Sequence, residues 1–157
     1  MALAAEMKPA ALKRGKSPRH VLFVCTGNTC RSPMAAAILA HLRPTWEVAS
    51  AGLAADGSPI SGNALLVLHE NGITTADGHV STPVSEELIA LADDVIGITS
   101  RHAMALTVRF PAAAGKIRPM PADIPDPFGG DAETYRRCFA ALEDGIAELF
   151  GEAPHEA

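Results

Sequence analysis

The sequence predicts an α/β fold: a single-domain, three-layer sandwich in which one parallel sheet carries helices on both faces. Three observations predict it. Two apolar runs, Val21–Val24 ending at Cys25 and Asp94-Val95-Ile96-Gly97-Ile98-Thr99, have the composition of strands buried on both sides. Segments with apolar residues at helical spacing separate and follow them, with Met34, Ile38 and Leu42 in one and Tyr135, Phe139, Leu142, Ile146 and Leu149 in another. The length, 157 residues, suits one domain with its own core, and no repeat or linker divides it.

The elements follow in order. After the strand Val21–Cys25 and a short loop, Ser32 is a favoured N-cap and Pro33 suits a first helical position, where its missing N–H costs nothing. That helix should run to Leu42 or Arg43, before Pro44. Trp46–Ser50 alternates as a short strand, and residues 53–59 are a loop with Asp56-Gly57 as its turn. Ser58 or Ser61 caps a second helix, which Asn71-Gly72 ends in a left-handed exit. A third helix begins between Thr82 and Ser85, with Glu86 and Glu87 at its positive end. The strand Asp94–Thr99 follows, then a fourth helix capped by Ser100 and ended by Pro111 after Phe110. Lys116–Met120 is a weak strand, a proline-rich loop extends to Gly130, and Asp131 caps the last helix.

Composition narrows the function. The chain is 48% hydrophobic and 20% charged, and no apolar run approaches membrane-spanning length, so no membrane partner is expected. The net charge is −5, but residues 1–19 carry a local balance of +4 and the remainder −9, which argues against a nucleic-acid surface on the folded body. Residues 1–18 are expected to be a basic, mobile extension without a secretory apolar segment, 19–152 the domain, and 153–157 a tail. Three cysteines, two inside one loop, make no disulfide scaffold and fit a reducing cytoplasm. His20, His41, His69 and His102 show no metal-ligand spacing with them, so no metal or other cofactor is expected.

The loop after the first strand carries the chemistry. Between a strand end and a helix N-terminus, successive backbone N–H groups can turn inward and bind a tetrahedral anion. Gly27 permits close approach, and Arg31 can add a bidentate fork to two phosphate oxygens. The same positive field favours a cysteine as its thiolate, so Cys25 would lie beneath the phosphorus as a nucleophile. Displacement leaves a basic atom in need of a proton. Asp126, between Pro125 and Pro127, is the candidate acid, and Asp123, with no following proline, is its rival.

The pattern Cys25-x-Gly27-Asn28-x-Cys30-Arg31-Ser32-Pro33 directly after a strand resembles the phosphate loop of the low-molecular-weight protein tyrosine phosphatases. The form Cys-Thr-Gly-Asn-Thr-Cys-Arg-Ser is most similar to the family's bacterial protein-arginine-phosphatase branch. Ser50-Ala51-Gly52, His79 and Asp126-Pro127-Phe128-Gly129-Gly130 follow in the family's order, and the resemblance covers residues 20 to 150. It implies four parallel strands in order 2-1-3-4. It also implies Cys25 as nucleophile, Arg31 as phosphate ligand and Asp126 as general acid. Thr26, Gly27, Asn28, Thr29, Cys30 and Ser32 would form the loop, with Asn28 holding its shape and the Ser32 hydroxyl stabilising the departing thiolate. Ser50 would support the loop, and His79 would hydrogen-bond the asparagine. Cys30 is either a small packing residue or, as the resemblance implies, the partner of Cys25 in a reversible disulfide. Cys138 falls near the apolar stripe of the last helix and reads as core.

The expected activity is hydrolysis of a phosphorylated protein through a cysteinyl-phosphate, releasing phosphate ion. Thr29 stands where tyrosine-directed relatives of the family carry a branched apolar residue and arginine-directed ones a threonine. Phe128 is followed by two glycines rather than by further aromatics, and the 53–59 loop adds none. With Thr29 and Phe128 lining the pocket, phosphoarginine is the favoured substrate and phosphotyrosine the alternative. An arsenate reductase shares the fold and loop but needs a relay cysteine pair, whereas only Cys138 lies outside the loop. A non-catalytic phosphate-binding module has no use for Cys25, Arg31 and Asp126 together.

Overall fold

Four strands, β1 (His20–Cys25), β2 (Glu47–Gly52), β3 (Asp94–Gly97) and β4 (Ile117–Pro119), form one sheet in the spatial order β2-β1-β3-β4. Every pairing is parallel, with Val24 opposite Ala51 on one side and Gly97 on the other, and Cys25 opposite Gly52. The expected order 2-1-3-4 is therefore the observed one. The computed structural model describes residues 19–151, so the expected extension 1–18 and tail 153–157 lie outside the described residues.

The helices are α1 (Arg31–Leu42), α2 (Gly62–Glu70), α3 (Glu86–Leu91), α4 (Ser100–Arg109) and α5 (Ala132–Phe150). Side chains of β1 alternate between two cores, as a central strand requires. Val21, Phe23 and Cys25 face α1, α2 and α5, among Met34, Ile38, Leu68, Phe139 and Leu142. Leu22 and Val24 face the opposite layer, with Ile89 of α3 and Leu106 of α4. Phe23 has no exposed surface, and truncating it to alanine would cost about 3–5 kcal/mol. Cys25 is thus delivered by a central strand packed on both faces, at its carboxyl end, where open parallel sheets bind ligands. Among the described residues no helix is long and apolar enough to cross a membrane.

Some local expectations need correction. α1 begins at Arg31, and the residue before it, Cys30, makes no side-chain cap. Ser32 is the second residue of the helix rather than its cap, and its hydroxyl meets Cys25 Sγ at 2.9 Å. Ser61, not Ser58, caps α2 by accepting from the Ala64 N–H, and Gly72 follows with φ 73°. β2 starts one residue later than expected and runs two further, to Gly52, while Trp46 packs edge-on to Phe150. β3 stops at Gly97, and Thr99 rather than Ser100 caps α4, through a reciprocal pair of bonds with His102. After Phe110 the chain continues through an unexpected 3₁₀ turn, Pro111–Lys116, and β4 is shorter than Lys116–Met120.

Candidate active site

Asn28 sets the shape of the loop between β1 and α1. It is the only non-glycine among the described residues with positive φ, at 60°, and it is completely buried. Asparagine tolerates this left-handed region better than most residues, and here every polar group it has finds a partner. Its Nδ2 donates to Ser32 Oγ at 2.7 Å and to Ser50 Oγ at 3.0 Å, and its Oδ1 accepts from the Thr82 N–H at 2.8 Å. Its backbone oxygen lies 2.9 Å from His79 Nε2, and its own N–H points to Cys25 Sγ at 3.3 Å. Five groups from four segments therefore hold one side chain and its peptide.

Two donors converge on the Cys25 sulfur. Ser32 Oγ is 2.9 Å away and accepts from Asn28 Nδ2; its proton is offered to a negatively charged sulfur, with the Ala51 carbonyl a longer alternative at 3.5 Å. The Asn28 N–H is the second. Hydrogen bonds of this kind stabilise a sulfur that carries negative charge.

A cavity of about 240 Å³ opens above the sulfur, lined by residues Cys25 to Arg31 in unbroken sequence together with Asp126 and Phe128. Arg31 is almost buried, and its Nη1 donates to the Ile124 carbonyl at 3.0 Å. Its Nη2 lies 3.6 Å from Asp126 Oδ2, which ties the cation to the facing loop. Asp126 is half exposed and accepts from the Phe128 N–H at 3.1 Å. Phe128 is itself 72% exposed, a ring standing at the cavity rim. Asp123 lies elsewhere: its carboxylate receives the Ser100 N–H at 2.8 Å and faces the Ser100 hydroxyl at 3.3 Å, so it is occupied at the start of α4.

Comparison with known proteins fits this geometry. The sequence profile of the low molecular weight phosphotyrosine protein phosphatases matches residues 20–156. The chain belongs to this family. A protein-arginine-phosphatase from Geobacillus stearothermophilus is 45% identical over 141 residues, which cover 84% of this chain and 94% of that protein. The solved structure of YwlE arginine phosphatase from the same organism superposes with a TM-score of 0.79 at 45% identity, covering 84% of this chain and 90% of that one. The low molecular weight protein-tyrosine-phosphatase Wzb of Escherichia coli K12 is 32% identical, over 79% of this chain and 88% of its own length.

For a member of this family, the residues singled out in the sequence fall into two groups. Cys25, Thr26, Gly27, Asn28, Thr29, Cys30, Arg31, Asp126 and Phe128 line the cavity itself. Ser32, Ser50 and His79 do not line it, and each instead bonds to Asn28 from outside. Sequence reasoning missed three residues. Thr82 fixes Asn28 through its backbone N–H, a contact no residue type encodes. Tyr135, read only as an apolar-stripe residue, brings its hydroxyl to 3.3 Å from Cys30 Sγ. Burial, then this contact with Cys30, pushes the phenol up to about 12. His102 reaches Thr26 Oγ1 at 2.9 Å, and the signal for it was available: a histidine three residues after a strand-end threonine is in capping-box position. Cys138 is buried in the core, where burial pushes its thiol up to about 12, and it does not line the cavity.

Proposed function

We propose that the chain hydrolyses phosphorylated proteins through a cysteinyl-phosphate, with phosphoarginine as the preferred residue. The observation that carries this reading is the pair of donors aimed at Cys25 Sγ beneath a cavity bounded by Arg31 and Asp126. The Cys25 thiolate attacks phosphorus in line with the leaving group, forming the S–P bond as the P–N bond of phosphoarginine breaks. Loop amides and the Arg31 guanidinium hold the equatorial oxygens, where charge develops. Asp126, as the acid, gives its proton to the departing nitrogen. As carboxylate it then takes a proton from water, whose oxygen attacks phosphorus and breaks the S–P bond. Phosphate leaves, and the Ser32 hydroxyl and Asn28 N–H receive the returning sulfur charge. A thiol used this way needs a reducing compartment, for which the cytoplasm is the natural candidate.

The substrate preference rests on Thr29 and Phe128. Thr29 lines the cavity, and its hydroxyl can accept from a guanidinium N–H, which a branched apolar side chain could not. One exposed ring, Phe128, can lie against a planar guanidinium. The 45% identity to a protein-arginine-phosphatase supports the same preference. Phosphotyrosine is the second reading, because Phe128 could equally stack on a phenyl ring, and because Wzb, at 32% identity, is a tyrosine phosphatase. An arsenate reductase is disfavoured, because a buried Cys138 thiol pushed up to about 12 is a poor relay.

The test compares kcat/KM for a phosphoarginine peptide and a phosphotyrosine peptide, in wild type and in Thr29→Ile. Wild type should favour phosphoarginine, and the variant should shift the ratio toward phosphotyrosine. A wild type that favours phosphotyrosine, with a ratio the variant leaves unchanged, would reject phosphoarginine and leave phosphatase activity standing.

A further inference from the structure

His102 has no place in the chemistry above, yet it touches the phosphate loop from behind. It lies on the first turn of α4, is nearly buried, and brings Nε2 to 2.9 Å from Thr26 Oγ1. The far side of the ring fixes its tautomer. Nδ1 receives the Thr99 backbone N–H at 3.2 Å, with the Thr99 hydroxyl at 3.0 Å, so Nδ1 is an acceptor and the ring proton sits on Nε2. His102 therefore donates to Thr26. Burial first, then the Arg31 cation, push its pKa down to about 4 against the opposing Asp123 and Asp126, and the neutral ring persists at neutral pH.

Thr26 is the first loop residue after the nucleophile. On its other side its carbonyl accepts from the Ala54 N–H at 2.9 Å, so the Thr26 unit is gripped between the chain after β2 and the start of α4. Capping α4 needs only Nδ1; the bond from Nε2 adds nothing to the helix and acts on the loop alone.

Resting on the phosphatase reading, we propose that His102 is a positioning residue, which through Thr26 fixes the opening peptide of the phosphate loop in the shape that receives the pentavalent phosphoryl group. A loop set before substrate arrives needs no reorganisation in the transition state, and small misplacements of such groups cost about ten- to a hundredfold in rate.

The two nitrogens can be separated by substitution. His102→Asn keeps an acceptor near the Nδ1 position and loses the donor to Thr26, while His102→Gln keeps a donor near Nε2 and weakens the cap. Thr26→Val removes the acceptor on the exposed loop without touching α4. We expect His102→Asn to lower kcat about tenfold with KM little changed and with thermal stability close to wild type. His102→Gln should recover most of kcat at reduced stability. Thr26→Val should reproduce the kcat loss, and combining it with His102→Asn should add little more. Binding of inorganic phosphate, followed by isothermal titration, should weaken in His102→Asn and Thr26→Val whether or not turnover is measured. Activity losses that track thermal stability across the three variants, or unaltered kcat and phosphate affinity in His102→Asn and Thr26→Val, would overturn the proposal. A wild type that binds phosphate but hydrolyses no phosphorylated peptide would instead overturn the phosphatase reading.

Discussion

Ser32 Oγ stands 2.9 Å from Cys25 Sγ and accepts from Asn28 Nδ2 at 2.7 Å, with the Ala51 carbonyl a longer 3.5 Å away; toward a negatively charged sulfur, which has no proton of its own, the serine is the donor. Its largest effect falls where sulfur gains charge, when the S–P bond breaks.

Ser32→Ala should therefore slow breakdown of the phosphoenzyme more than its formation. A hydrogen bond to a charged group is worth about 1.5–3 kcal/mol, or roughly ten- to a hundredfold in that step. Rapid mixing should show a burst of leaving group followed by slow turnover, with phosphate trapped on Cys25. A variant that loses rate equally in both steps would show that the hydroxyl only shapes the loop.

Asp126 is half exposed and tethered to Arg31 at 3.6 Å, close enough to the cavity to reach a leaving group. Asp126→Asn should cut turnover by about 10²–10⁴ for substrates whose leaving atom needs a proton, and by much less for activated aryl phosphates. The measurement is kcat across a leaving-group series. Equal losses throughout the series would remove the acid role. Asp123→Asn is the comparison: that side chain serves Ser100 and not the cavity, so any loss there should not depend on the leaving group.

The strand, the cavity-lining loop and the helix after it were legible because they depend on local pattern: an apolar run, a contiguous nine-residue motif, and proline and glycine at turns; the sheet order came only from the family resemblance, because which strands lie side by side is not a local property. What failed did so at element boundaries and caps. Ser32 has the residue type of an N-cap, but the helix begins one residue before it, at Arg31, and its hydroxyl meets the Cys25 sulfur. Ser100 lost its expected role to Thr99 in the same way, because Asp123 engages Ser100 from a distant loop. The contacts that escaped notice altogether, Thr82 to Asn28 and Tyr135 to Cys30, join segments far apart in sequence, and in one of them the donor is a backbone N–H that any residue would supply. Propensity carries no record of such pairings.

Gly52 supplies a steric prediction. A Cβ there would lie 2.5 Å from the Thr26 carbonyl oxygen and 3.0 Å from Asn28 Cβ, so the end of β2 and the phosphate loop meet backbone to backbone. Gly52→Ala must push the loop away. Overpacking of this kind costs about 1–3 kcal/mol, and the displaced amides should weaken phosphate affinity at the same time. Denaturant unfolding together with phosphate titration checks both, and a variant unchanged in each would contradict the close approach.

Cys25 and Cys30 are both buried in one loop, no disulfide joins them, and Cys30 Sγ rests 3.3 Å from the Tyr135 hydroxyl. Peroxide should oxidise the Cys25 thiolate to a sulfenic acid, and the Cys30 thiol should then form the disulfide and release water. Activity should return with a thiol reductant. In Cys30→Ser the loss should become irreversible, with sulfinic or sulfonic acid on Cys25 by mass spectrometry. Irreversible oxidation in wild type as well would leave Cys30 a packing residue held by Tyr135.

His102 also gives stability a pH dependence of known sign. In the unfolded chain its pKa is the ordinary 6.5, while in the folded protein burial and Arg31 push it down to about 4. Between those values the unfolded chain binds a proton that the folded protein refuses, so stability rises with pH through the window. The contribution is complete above about pH 6.5 and is lost as pH falls toward 4. After discounting for solvent screening it amounts to about 1–2 kcal/mol. Carboxyls act in the same range: hydrogen bonds hold Asp56 and Asp131 below the ordinary 3.8, Arg136 lowers Glu70, and burial raises Glu143. They are common to wild type and variant, so the difference between the two isolates the histidine. Thermal melts at pH 7, 6, 5 and 4.5 should therefore show a steeper decline in wild type than in His102→Gln, which has no proton to take up. Parallel declines would mean that His102 is protonated in the folded protein, with Nδ1 no longer accepting from Thr99.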